Sequence, residues 1–249
     1  MLRVGHKGAD SIRMGNTIES FEAAVEAGVD MIELDVLRPR SDFINPDGWR
    51  IAPAGHVERP GGPLVVAHDW GDARRRRPLT LDDVLDAFTR PPLDAVQIDL
   101  DLKIAGREDE VVGALKERGL IERAAVSTME VGSLTEIHRL EPALRSGWTV
   151  PKTTRDWNSM WWAKALVFAG LISLRRSLPK AVRSNAGDLS VTSVWAYHAV
   201  ITAGLVQACE EAGCKLIAWT VDELEQMRRL ADLGVDGICT NDPRLFAEL

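Results

Sequence analysis

Short apolar, β-branched runs alternate with amphipathic stretches along almost the whole chain, and this alternation restricts the fold more than any other feature. Strand-like runs fall at 2–6, 30–36, 65–68, 95–103, 124–128, 145–150, 188–193, 215–221 and 236–240. Helical apolar spacing and helix-boundary residues mark stretches near 17–27, 80–89, 107–118, 131–140, 157–178, 197–212, 223–232 and 243–248. Strand, helix and strand in repeated succession predict βαβ units and a parallel sheet with helices outside it.

Nine strand candidates are one too many for an eight-stranded barrel. The segment between 37 and 63 resolves the excess. It carries Pro39, Pro46, Pro53, Pro60 and Pro63 together with Gly48, Gly55, Gly61 and Gly62, so it cannot be a crossover helix. Parallel neighbours need a crossover, whereas an antiparallel return needs only a loop. The run at 65–68 is therefore a hairpin return against the end of the second strand. The expectation is a (β/α)8 TIM barrel, one domain over 1–249, with an extra hairpin strand after the second barrel strand. A doubly wound open sheet is the alternative, but no Gly-rich phosphate loop follows any strand.

Composition narrows the class. A hydrophobic fraction of 45% with 27% charged residues is that of a globular protein. A formal charge of −7 argues against a nucleic-acid protein with a broad basic face, while leaving room for an anionic substrate in a locally positive cleft. Cys209, Cys214 and Cys239 are odd in number and lack zinc-type spacing, which suits a reducing compartment. No apolar leader run follows Arg3, and the apolar stretch 165–174 is too short to span a bilayer. The expected location is cytoplasmic.

Two strands carry the chemistry. In a strand, residues two apart share a face. Glu33 and Asp35 thus point one way, with Ile32, Leu34 and Val36 pointing the other. Asp99, Asp101 and Lys103 repeat the pattern against Ile98, Leu100 and Leu102. The apolar sets must meet the helices, so the charged sets face the barrel interior, at the C-terminal strand ends where barrel enzymes build their sites. Carboxylates there are costly unless paired or bound to a cation. Glu33, Asp35 and Asp101 offer hard oxygen donors, which select Mg²⁺ or Ca²⁺ over Zn²⁺. The structural alternative is a buried ion-pair cluster with Lys103. His6 and His68 end their strands and supply an acid/base pair at neutral pH. His56, His138 and His198 lack such company and read as surface or loop residues.

These residues resemble those of the glycerophosphodiester phosphodiesterases. The likeness runs through His6-Lys7-Gly8, Asn16-Thr17-Ile18-Glu19-Ser20-Phe21, Glu33-Leu34-Asp35-Val36 and His68-Asp69. It continues through Thr80-Leu81-Asp82-Asp83-Val84-Leu85, Asp99-Leu100-Asp101-Leu102-Lys103, Trp219-Thr220-Val221 and the segment from Gly234 to Pro243. The resemblance implies divalent-metal-dependent cleavage of a small glycerophosphodiester to glycerol 3-phosphate and an alcohol. It implies His6 and His68 as acid and base, Glu33, Asp35 and Asp101 as metal ligands, Lys7 and Lys103 on phosphate oxygens, and Trp219 in the substrate pocket. Four positions depart from the family pattern. Lys7 replaces an arginine, Gly15 a glutamate, Asp99 an asparagine, and Asp101 a longer glutamate. The Asp101-x-Lys103 spacing is also similar to that of the phospholipase D and sphingomyelinase D branch, whose members act on lipid headgroups.

Two stretches fall outside the motifs. Trp157, Trp161, Lys164, Phe168 and Leu171 recur at helical spacing beside Trp162, as a barrel helix packing its aromatic stripe or as a helix in peripheral contact with a membrane surface. Arg74, Arg75, Arg76 and Arg77 follow His68 directly, either as solvated loop charge or as a rim that guides anions.

Overall fold

Inward and outward residues alternate along every barrel strand, and the outward apolar set decides where each helix lies. The computed structural model describes residues 1–38, 62–152 and 164–249. In chain order the strands are β1 (Leu2–His6), β2 (Met31–Leu37), β3 (Val65–Val66), β4 (Leu79–Thr80), β5 (Gln97–Leu102), β6 (Ala124–Thr128), β7 (Arg145–Val150), β8 (Ser193–Tyr197), β9 (Lys215–Trp219) and β10 (Gly237–Thr240). The helices are α1 (Ile18–Glu26), α2 (Trp70–Arg75), α3 (Leu81–Ala87), α4 (Glu108–Glu117), α5 (Val131–Leu140), α6 (Lys164–Asn185), α7 (Ala203–Glu211) and α8 (Leu224–Leu233).

The sheet runs β1-β10-β9-β8-β7-β6-β5-β2, and the β1–β2 pairing closes it into an eight-stranded parallel barrel. Outside the ring, β3 pairs antiparallel with β2, Val36 opposite Val66, and β4 pairs with β3. The expected barrel and its extra hairpin strand are both present. On one side, Ile32, Leu34, Val36, Ile98 and Leu100 pack against α1, α3 and α4, with Phe21 and Phe88 ring to ring at 5.6 Å. On the other, Val194, Leu216 and Ile238 pack against α6, α7 and α8. The barrel floor is plugged by Val4, Met31, Trp195, Ile217 and Cys239. Gly147 makes room for that plug, since a Cβ there would fall 2.6 Å from the Trp195 indole nitrogen.

Four features of the structure differ from the sequence reading. The strand expected at 188–193 is β8 at Ser193–Tyr197. Residues before it form the turn that ends α6, with Ser190 in the left-handed region at φ 52°, so the β-branched pair Val191 and Thr192 leads into the strand instead of forming it. The helix expected at 197–212 begins only at Ala203, where Thr202 caps it by accepting from the Leu205 amide. The helix expected over 157–178 is described from Lys164 to Asn185, and Trp157, Trp161 and Trp162 lie outside the described residues. The short elements α2 and β4 were not expected. Among the described residues, no helix is long and apolar enough to cross a membrane.

Candidate active site

Barrel register brings the charged residues together. His6 lies beside Glu33, Glu33 beside Asp99, and Asp35 beside Asp101 in the β1–β2–β5 ladder. Ligand oxygens of Glu33, Asp35 and Asp101 all fall within 4.8 Å of one another. Lys103, just past β5, holds its ammonium 2.6 Å from Asp35 Oδ1 and also against Asp101 Oδ2. The ion-pair cluster with Lys103 is therefore real, but one ammonium faces three carboxylates.

That imbalance shows in the titration of the group. Burial, together with the Asp35 charge, pushes the Glu33 carboxyl well above the usual range. Asp35 is held below its usual value; burial opposes this, and the Lys103 ammonium and the two histidines outweigh burial. Lys103 is raised well above its ordinary value because the carboxylates around it overcome its desolvation. The shift of Glu33 toward its neutral form reflects its burial and the shortage of positive charge around the triad. Asp35 Oδ1 is buried without a well-aligned hydrogen bond despite its nearness to Lys103. Hard oxygens gathered within 4.8 Å and an excess of negative charge over the one ammonium fit a divalent cation held by Glu33, Asp35 and Asp101.

Other loops fix these groups. Asn16, fully buried and left-handed at φ 59°, donates from Nδ2 to Asp35 Oδ2 at 2.7 Å and accepts from the Asp35 amide at 3.2 Å. It precedes Thr17, the cap of α1, so the motif that starts this helix also anchors the carboxylate. The Lys7 amide donates to Glu33 Oε2 at 3.0 Å. The Lys7 ammonium pairs with Asp10 Oδ2 at 2.5 Å, and Gly15 donates its amide to Asp10 Oδ1 at 2.7 Å.

His6 is held in one tautomer. Asp222 can only accept, and it takes both the Asn241 amide at 2.8 Å and Asn241 Nδ2 at 2.7 Å. The Asn241 side-chain oxygen must then face His6 Nδ1, 2.7 Å away, so that nitrogen carries the proton. His6 Nε2 keeps its lone pair and lies 3.9 Å from Glu33 Oε2. Burial holds the His6 pKa below the ordinary histidine value, so the ring is a neutral base at neutral pH.

His68 sits across the mouth, beyond β3, half-exposed, with Nδ1 3.1 Å from Asp69 Oδ2. Its charge is felt at Asp35, which places it within electrostatic reach of the cluster. Trp219, at the end of β9, packs tilted against Tyr197 of β8 at 5.6 Å, and Tyr197 packs tilted against His198 at 4.4 Å. The Trp219 indole nitrogen is buried without a partner. The mouth therefore has a charged wall on β1, β2 and β5 and an aromatic wall on β8 and β9. His198 is half-buried there against Gln226. His138 lies on α5, and His56 lies outside the described residues.

Sequence reading passed over Asn241, Asp222, Asp10 and Tyr197. Asn241 stands in a quoted motif, yet its role needs a partner 235 positions away.

A parallel barrel that gathers three carboxylates, a lysine and two histidines at its C-terminal mouth has the equipment of an enzyme acting on anionic phosphoryl groups. The family model described as Glycerophosphoryl diester phosphodiesterase family matches residues 6–41 and 80–245, and the chain belongs to that family of phosphoric diester hydrolases. His68 falls between the two matched segments. A glycerophosphodiester phosphodiesterase of Caldanaerobacter subterraneus subsp. tengcongensis is 27% identical over 100% of this chain and 97% of its own. A glycerophosphodiester phosphodiesterase structure from Parabacteroides distasonis superposes with TM-score 0.69 at 18% identity, covering 99% of this chain and 97% of that one. A phosphodiesterase of Oleispira antarctica, solved with its product sn-glycerol-3-phosphate, gives TM-score 0.66 at 16% identity over 100% and 96% of the two chains.

Proposed function

We propose that this chain hydrolyses small glycerophosphodiesters to glycerol 3-phosphate and an alcohol, with Mg²⁺ or Ca²⁺ on Glu33, Asp35 and Asp101. The observation that carries this reading is the buried triad, short of positive charge, within 3.9 Å of a histidine whose free nitrogen faces it. Lys103 and Lys7 bring positive charge to the non-bridging phosphate oxygens, and Trp219 at the end of β9 lines the substrate pocket. His6 Nε2 takes a proton from the attacking water as the new P–O bond forms. His68 gives a proton to the leaving alkoxide as the old P–O bond breaks. When bound, the cation supplies charge to the developing pentavalent phosphorus centre. The buried, unpaired state of Cys209, Cys214 and Cys239 supports a cytoplasmic setting.

The test is product release from glycerophosphocholine and lysophosphatidylcholine side by side, in EDTA and then with Mg²⁺ or Ca²⁺ restored. Metal-dependent glycerol 3-phosphate from the first substrate alone is the expected result. Choline from the lysolipid alone would move the chain to the lipid-active branch, and silence on both would sink the hydrolytic reading.

A further inference from the structure

Four arginines follow His68, and their side chains part company. Arg74, Arg75 and Arg77 are exposed, whereas Arg76 turns inward with only 14% of its side chain exposed. Its backbone is extended at the end of α2, which sends the guanidinium back beneath the helix. There the fork meets three separate segments. Nε and Nη2 grip Asp72 at 2.9 and 2.7 Å, Nη1 donates to the Asn16 carbonyl at 3.2 Å, and Nη2 reaches the Val66 carbonyl at 3.4 Å.

Each contact leads to a site residue. Asp72 Oδ2 also accepts from the His68 amide at 3.2 Å. Val66 ends β3, two residues before His68. Asn16 is the residue whose side chain holds Asp35. A continuous chain of polar contacts thus runs from the His68 backbone through Asp72 and Arg76 to Asn16 and the carboxylate cluster. We infer that Arg76 is the positioning residue for His68, clamping that segment to the Asn16 loop and setting the gap between His68 and the carboxylates, an inference that rests on the reaction proposed above.

His68 needs such a device. Its side chain is 54% exposed, and its ring contacts Asp69, a residue on the same loop. The ring is therefore only as well placed as the backbone beneath it. The helix that follows has six residues, too few to hold itself, and its anchors among the described residues include the Asp69 cap, Ala73, Trp70 on the Arg38 carbonyl, and Arg76. Lysine cannot replace Arg76, because a single ammonium does not present donors to a carboxylate and two carbonyls in different directions.

The experiment uses full-length protein carrying Arg76→Ala or Arg76→Lys, alone and combined with His68→Ala. On glycerophosphocholine with saturating cation, Arg76→Ala should lower kcat by up to about a hundredfold, the loss expected of a misplaced catalytic group, with KM near wild type. Added guanidinium should restore part of that activity. In the His68→Ala background the same change should cost nothing further, since the clamp acts through His68. Imidazole ¹H–¹⁵N spectra give a readout that needs no turnover. The His68 signals should broaden or shift in both Arg76 variants while those of His6 stay fixed. If wild type fails to turn over glycerophosphodiesters yet the His68 signals respond, the reaction is wrong and the clamp stands. Unchanged His68 signals, or an equal loss in both backgrounds, would overturn the clamp. Arg76→Lys keeps the pair with Asp72 and guards against a variant that merely fails to fold.

Discussion

Asn241→Leu removes the acceptor that fixes His6 while nearly conserving volume. In the wild-type site Asn241 Oδ1 lies 2.7 Å from His6 Nδ1, and Asp222 prevents the amide from turning over. Leucine leaves the Nδ1 proton in a buried site with nothing to receive it, a penalty of about 1–3 kcal/mol. The ring escapes that penalty by moving its proton to Nε2, toward Glu33 Oε2 at 3.9 Å, and so loses the lone pair that faces the reaction. At 1.4 kcal/mol per factor of ten, the base-competent tautomer falls by about 5- to 150-fold, and kcat/KM should fall with it. The pH profile adds a second sign. The Asn241 hydrogen bond raises the His6 pKa against the larger lowering by burial, so its loss moves the acidic limb further toward low pH while the plateau drops. Steady-state kinetics across pH, with ¹⁵N shifts to locate the ring proton, measure both effects. Wild-type kcat/KM with the proton still on Nδ1 would refute the tautomer argument.

Three further changes test other parts of the site. Asp99 is pushed up to about 7 from 3.8 by burial, with Ser127 donating to one oxygen at 2.6 Å and the other unpartnered. The stability of its neutral form is full below pH 4 and lost as pH rises through 7, so at pH 8 the buried charge costs roughly 4 kcal/mol. Asp99→Asn should melt higher than wild type at pH 8 in EDTA and converge with it in acid; parallel curves would exclude Asp99 as the titrating group. Asp101→Asn should weaken Ca²⁺ binding, read by calorimetry, by at least the roughly 10–100-fold seen when an outer partner of a metal ligand is lost. An unchanged affinity removes Asp101 from the ligand set. Gly15→Ala would set a methyl 2.6 Å from Asp10 Oδ1 and 2.8 Å from Lys7 Cβ. It should raise KM for glycerophosphocholine and cost about 1–3 kcal/mol of stability, and a variant with normal KM and melting temperature would contradict the Lys7–Asp10 arrangement.

The barrel was legible because its signal is local. Ile32, Leu34 and Val36 against Glu33 and Asp35 declare two faces of a strand without reference to anything distant. The β8 boundary was not legible, because Val191 and Thr192 have strand propensity while the turn at Ser190 is set by where α6 ends. The same division holds in the site. Carboxylates two apart on one strand announce themselves, whereas Asn241 acts on a histidine at the other end of the chain and Arg76 looks like its exposed neighbours. The hardest case is the mouth beside Lys7. Read one position at a time, lysine in place of arginine and glycine in place of glutamate look like losses from the family pattern. The structure joins them, because Asp10 occupies the space a Gly15 side chain would fill and pairs with the Lys7 ammonium at 2.5 Å. Asp10 thus sets a carboxylate on the Lys7 ammonium from a position that the motif comparison does not single out. Charge balance at the mouth is a property of space, so it is read from the partners that meet there, Asp10 with Lys7 and the Gly15 amide, and not from motif positions one at a time.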